Sequence, residues 1–78
     1  MKDLIEYIAK SLVDDPTQVH LTQRGKGQSV HFELEVAKGD MGRVIGKSGR
    51  VANAIRTLLR VAAAREGKRV SLDIVDPE

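Results

Sequence analysis

Apolar residues recur along this chain first at helical and then at strand spacing. Leu4, Ile5, Ile8, Ala9, Leu12 and Val13 fall on one helical face, which predicts an amphipathic first helix ending before Asp15-Pro16. Val30, Phe32, Leu34 and Val36 then alternate with polar residues, marking a sheet with one buried face. Two strands are expected, at 18–24 and 29–37, joined by Gly25-Lys26-Gly27-Gln28. Their register follows from parity. The inward residues are odd in the first strand (Val19, Leu21) and even in the second, so partner numbers must sum to an odd value. A four-residue loop that pairs Arg24 with Ser29 satisfies this, setting Leu21 against Phe32 and His20 against Glu33.

The helical period then returns. Asp40 stands as an N-cap before a short helix with Met41, Val44 and Ile45 on one face. The segment 46–49 interrupts it, a helix resumes over 50–66, and Gly67 suits its C-terminus. A last strand over 69–75 turns Val70, Leu72 and Ile74 inward. The order αββααβ predicts an α+β domain whose helices cover one face of a three-stranded sheet. On the long helix, Arg50, Asn53, Arg56, Thr57, Arg60 and Ala64 share an arc of about 120°. The remaining arc, about 200° wide, is mostly apolar (Val51, Ala52, Ala54, Ile55, Leu58, Leu59, Val61, Ala62, Ala63) and exceeds what packing on a sheet requires. Either a second copy of the chain or a neighbouring helix of the same chain would use the excess.

Size and composition narrow the function. With 78 residues the chain makes one small domain with a marginal core. It has no cysteine, which removes disulfides and thiolate metal sites as staples and leaves oligomerisation as an expected source of stability. Asp3 and Glu6 break what would be the apolar stretch of a signal peptide. No apolar run approaches the roughly 20 residues of a membrane span, so a soluble, cytoplasmic protein without a membrane partner is expected. The net charge is only +2, but residues 38–69 hold nine Lys/Arg against Asp40 and Glu66, a local balance of +7. Residues 1–37 sum to −2 and 70–78 to −3. A basic block between acidic ends suits a polyanion, although a solvated helix face would show the same charges.

The chemistry concentrates in Val44-Ile45-Gly46-Lys47-Ser48-Gly49-Arg50. Gly46 and Gly49 permit a tight turn and leave no side chain between backbone and ligand. Lys47 adds a cation, Ser48 a hydroxyl, and the following helix N-terminus a partial positive charge, with Arg50 at its entry. Such a surface suits sugar-phosphate and carries little sequence information. The nucleotide-binding P-loop fits poorly. Its first glycine would fall at Met41, and a helical turn precedes the loop where a strand is needed. A plain helix–helix corner would also explain two spaced glycines.

Val44-Ile45-Gly46-Lys47-Ser48-Gly49 followed by Ile55 resembles the core of the KH domain, whose GXXG loop clamps about four nucleotides. The order αββααβ resembles the type II arrangement, and the match covers essentially the whole chain, residues 1–78. The chain length and the run Arg50-Val51-Ala52-Asn53-Ala54-Ile55-Arg56-Thr57 resemble the small bacterial stand-alone KH proteins of the KhpA family. Ala52 departs from the general KH pattern, standing where many KH domains carry a bulky aliphatic residue. The resemblance implies that Gly46, Lys47, Ser48 and Gly49 hold the backbone of single-stranded RNA. Val44, Ile45 and Val51 would floor an apolar groove beneath the bases, and Arg50 would assist with phosphate. It further implies a homodimer, a complex with a larger KH-containing protein, RNA chaperoning, and a link to cell shape and cell-wall homeostasis.

Other residues carry less. The outer sheet face, with His20, Glu33, Glu35, Ser71 and Asp73, is polar and partly acidic. Tyr7 and Phe32, the two aromatic residues, fall at expected core positions, which disfavours recognition by aromatic stacking. His20 and His31 lack a third metal ligand and read as solvated, with His20 near Glu33. Asp14-Asp15 read as helix-end and turn residues, and Lys26 as a solvated hairpin-tip lysine. No nucleophile with a base, carboxylate dyad, metal cluster or cofactor motif is present, so no enzyme is expected. A dimerisation or scaffold protein, its fold serving mainly protein contacts, is the alternative to RNA binding.

Overall fold

The computed structural model describes residues 1–25 and 27–75; Lys26, and with it the expected hairpin-tip lysine, lies outside the described residues. Helix α1 spans Lys2–Leu12 and buries Ile5 and Ala9, one turn apart, against the sheet side of the core. It stops where Val13 turns extended, its amide bonded to the Ala9 carbonyl at 3.2 Å. A single 3-10 turn, Pro16–Gln18, follows. Pro16 sits where a missing N–H costs nothing, and Asp15 caps the turn by accepting the Thr17 amide. This turn consumes the first residues expected of the strand, so β1 runs His20–Arg24.

β2 spans Ser29–Glu35 and β3 spans Arg69–Val75. The sheet order is β1-β2-β3, with β1 antiparallel and β3 parallel to the central β2. Parallel neighbours need a crossover. Here it is α2, Met41–Ile45, and α3, Arg50–Arg65. The chain is therefore α+β in the order αββααβ, with the buried faces of its helices on one side of a three-stranded sheet. Ile5, Phe32, Leu34, Val36, Val44 and Leu59 are the largest sealed side chains. Each contributes about 1.5–3 kcal/mol by leaving water. α3 closes as the sequence suggests: Gly67 adopts φ 67°, and the Lys68 and Gly67 amides return to the Ala63 and Ala64 carbonyls.

Two further expectations need correction. The β1–β2 register is shifted by two residues: Leu21 faces Leu34, Thr22 faces Glu33, and Arg24 faces His31. Parity holds, because a shift of two keeps inward residues inward. The loop length does not: the last β1–β2 pair is Arg24 with His31, while Ser29 and Val30 pair with β3 on the other edge, opposite Arg69 and Val70, and the Arg69 amide bonds the Gln28 carbonyl at 2.6 Å. As a result Glu33 pairs with Arg24 at 3.3 Å and not with His20. Tyr7 is not a core residue; it is 73% exposed, since it lies about 200° around α1 from Ile5. The wide apolar arc of α3 is, as expected, more than the sheet uses, and it divides. Ala52, Ile55, Leu59 and Ala63 are buried, whereas Leu58 and Val61 stay 52% and 54% exposed.

Candidate nucleic-acid interface

α2 is barely more than one turn, and Val44 moors it in the core. The Gly46 amide closes the turn on the Gly42 carbonyl at 2.9 Å. Gly46 itself adopts φ 76°, ψ 171°, and a Cβ there would stand 2.5 Å from Val51 Cγ2 and 2.8 Å from Val51 N. Only glycine fits. Ser48 (φ 57°, ψ 27°) and Gly49 (φ 76°, ψ 14°) are both left-handed, and the Gly49 amide bonds the Gly46 carbonyl at 3.2 Å. The chain thus makes a compact left-handed turn and enters α3 with no side chain capping the helix N-terminus. Amides at such a start point outward with a partial positive charge.

Lys47, Ser48 and Arg50 are exposed, and Gly46, Gly49, Ile45 and Val51 are half-buried. Together they form one contiguous turn of chain. Val44 does not belong with them. It is 0% exposed, because its side chain is spent on anchoring α2, and it offers no surface to a groove.

The polar arc of α3 extends the basic surface away from the loop. Arg50, Asn53, Thr57 and Arg60 are exposed along it, covering about 15 Å of helix at 1.5 Å per residue. Arg56 is half-buried: its NH1 donates to Asn53 Oδ1 at 3.2 Å and its Nε to the Leu72 carbonyl at 3.0 Å. A groove of about 300 Å³ lies between this arc and β3, lined by Arg56, Leu59, Arg60 and Val70 to Asp73. Sequence reasoning left Arg56 and Arg60 out of the site. The available signal was the crossover itself, since a helix leading straight into a parallel edge strand must pack alongside it.

The opposite face of the sheet is occupied with its own charges. His31 Nδ1 lies 2.6 Å from Ser71 Oγ, its Nε2 lies 3.4 Å from Asp73, and Arg24 covers Glu33. His31 is therefore tied across to β3, not merely solvated. Among the described residues no group of three or more His, Cys, Asp or Glu is arranged to hold a metal ion.

The order αββααβ is consistent with what a comparison with known families finds. The KH-domain model of KhpA and KhpB matches residues 2–74. The chain belongs to this family. It is 53% identical to the RNA-binding protein KhpA of Clostridium acetobutylicum, over 96% of this chain and 100% of that protein. It is 49% identical to RNA-binding protein KhpA of Halalkalibacterium halodurans, over 97% of this chain and 100% of the other. The KhpA of Chlamydia trachomatis, also an RNA-binding protein by name, is 49% identical over 97% of both chains. No solved structure matches the chain. Among the described residues, no helix is long and apolar enough to cross a membrane.

Proposed function

We propose that this chain is a non-catalytic, cytoplasmic, single-stranded RNA-binding protein, with residues 1–78 forming one KH domain. The observation that carries the reading is the loop. Gly46–Gly49 turns left-handed onto an uncapped helix start, with Lys47, Ser48 and Arg50 exposed around it. Phosphate backbone meets there both fixed amide dipoles and mobile cations. Ile45 and Val51 flank the turn with half-buried apolar surface for bases, and the groove beside β3 extends the path. The names of the KhpA relatives agree with it. RNA chaperoning, and a place in cell-shape and cell-wall homeostasis, belong to the same proposal and rest on the resemblance to the KhpA family alone.

A specific observation supports protein contacts as well. Leu58 and Val61, with Leu4 of α1, leave an apolar depression bordered by Ala62, Arg65 and Glu66. It is on the side of α3 that neither the sheet nor another helix covers. A homodimer, or pairing with a larger KH-containing protein, would bury it. The scaffold reading rests on this patch and is compatible with RNA on the loop.

Charge reversal separates the two. About three phosphate contacts imply a slope near −2 for log K against log salt. Fluorescence anisotropy of a short single-stranded RNA at two salt concentrations measures this for the wild type and for Lys47→Asp/Ser48→Asp. Loss of binding in a variant with unchanged circular dichroism supports the loop as the RNA site. Equal binding by both overturns it.

A further inference from the structure

We propose that Asp40, Arg43 and Asp14 form a clamp that sets the attitude of the Gly46–Gly49 loop, and that Arg43 is a positioning residue and not a phosphate ligand. The inference rests on the RNA-binding reading of the loop. Asp40 is the one charged side chain buried among the described residues, at 4% exposure. It occupies the N-cap position of α2 yet makes no bond to that helix's own amides. Its carboxylate turns instead to the segment after α1. Oδ1 accepts the Asp14 amide at 3.1 Å, Oδ2 accepts the Asp15 amide at 3.2 Å, and Arg43 Nε stands 3.2 Å from Oδ1 as an ion pair. Arg43 closes the circuit, its NH2 donating to Asp14 Oδ2 at 2.9 Å.

α2 has five residues, too few to hold its direction by helix propensity. Val44 in the core, with Met41 and Ile45 packed against it, holds its apolar side, and Asp40 holds its start. The loop leaves directly from Ile45, bonded back to Gly42, so a tilt of α2 moves the loop with it. Arg43 lies three residues before Gly46 and is about half exposed, which makes it an obvious candidate for phosphate. Its geometry says otherwise. NH2 already donates to the Asp14 carboxylate, Nε stands in ion-pair range of Asp40, and the trio as a whole carries one net negative charge.

The two roles give opposite signs for one substitution. Asp14→Asn frees an arm of Arg43 and removes a negative charge. If Arg43 binds phosphate, RNA affinity rises; if it positions the loop, affinity falls against the electrostatic trend. We would prepare Asp14→Asn and Arg43→Gln, both at exposed sites that the core does not need, together with Asp40→Asn. Amide hydrogen exchange at Gly46 and Gly49, followed by NMR without RNA, reports the clamp by itself. Anisotropy with a short single-stranded RNA at two salt concentrations reports its consequence.

The expected result is faster exchange at Gly46 and Gly49 in each variant that folds, with Phe32 and Leu34 unchanged. Affinity should fall about threefold for Asp14→Asn and for Arg43→Gln, with the salt slope unaltered. Unchanged loop exchange in Asp14→Asn and Arg43→Gln overturns the clamp. Tighter binding by Asp14→Asn, or a slope flattened by about 0.7 in Arg43→Gln, overturns the positioning role. Failure of the wild type to bind RNA would sink the RNA reading, while the exchange measurements would still decide the clamp.

Discussion

Arg56 Nε donates to the backbone carbonyl of Leu72 at 3.0 Å, mooring a cation of α3 on the unpaired edge of β3. An open strand edge is a template for further pairing, and a charge placed across it discourages that. The same contact holds the wall of the groove at a fixed distance from the helix. Arg56→Met keeps the apolar stem and deletes the donor. Stability should drop by about 1 kcal/mol, read as a lower urea midpoint with an unchanged m value. RNA affinity should fall too, with a slightly flatter salt dependence.

Gly46 is fixed by Val51. Gly46→Ala forces a side chain into positive φ and against both Cγ2 and the backbone nitrogen of Val51. Strain and overpacking together should cost about 2–4 kcal/mol. Adding Val51→Ala removes the Cγ2 clash but leaves the backbone one at 2.8 Å. The double variant should therefore recover only part of the loss. Thermal unfolding of the single and double variants checks this, and full recovery would mean that the backbone contact relaxes freely.

The sequence made the fold legible because its two periods do not overlap. The alternation Val30–Val36 can serve only a strand, and Ile55, Leu59 and Ala63 only a helix face. Gly46 and Gly49 marked the loop for the same kind of reason: two glycines around Lys47-Ser48 have few other uses between helical turns. What stayed hidden depends on partners distant in the chain. The β1–β2 register leaves Ser29 and Val30 to pair with β3 alone, some 40 residues onward, and parity does not distinguish it from a register two residues away. Asp40 looks like an N-cap by position, and only its distance to Asp14 and Asp15 shows where its carboxylate goes. Val44 reads as a groove residue by adjacency, but burial depends on which way a single helical turn faces.

Leu58 and Leu59 are neighbours with opposite environments. Leu59 is sealed among Ile5, Phe32 and Ile55, whereas Leu58 is half exposed. Leu59→Ala should lose about 2–5 kcal/mol, a large share of the stability of a domain this small. Leu58→Ala at low protein concentration should stay within about 0.5 kcal/mol of wild type. Chemical denaturation of the two variants side by side tests the division of the α3 face.

That division gives the apolar patch a consequence of its own. If Leu58, Val61 and Leu4 meet a second copy of the chain, Leu58→Asp buries a carboxylate in the contact and prevents association. The fold should persist, because the position is exposed in the single chain. Sedimentation velocity over a range of concentrations should show the wild type shifting from monomer to dimer, and Leu58→Asp remaining monomeric with an unchanged circular dichroism spectrum. Lys47→Asp/Ser48→Asp should dimerise like the wild type, since those residues lie at the opposite end of α3. The monomeric variant should still bind a four-nucleotide RNA as the wild type does, and lose only the gain that two linked sites confer on a longer strand. A wild type that stays monomeric throughout would instead assign the patch to a different protein.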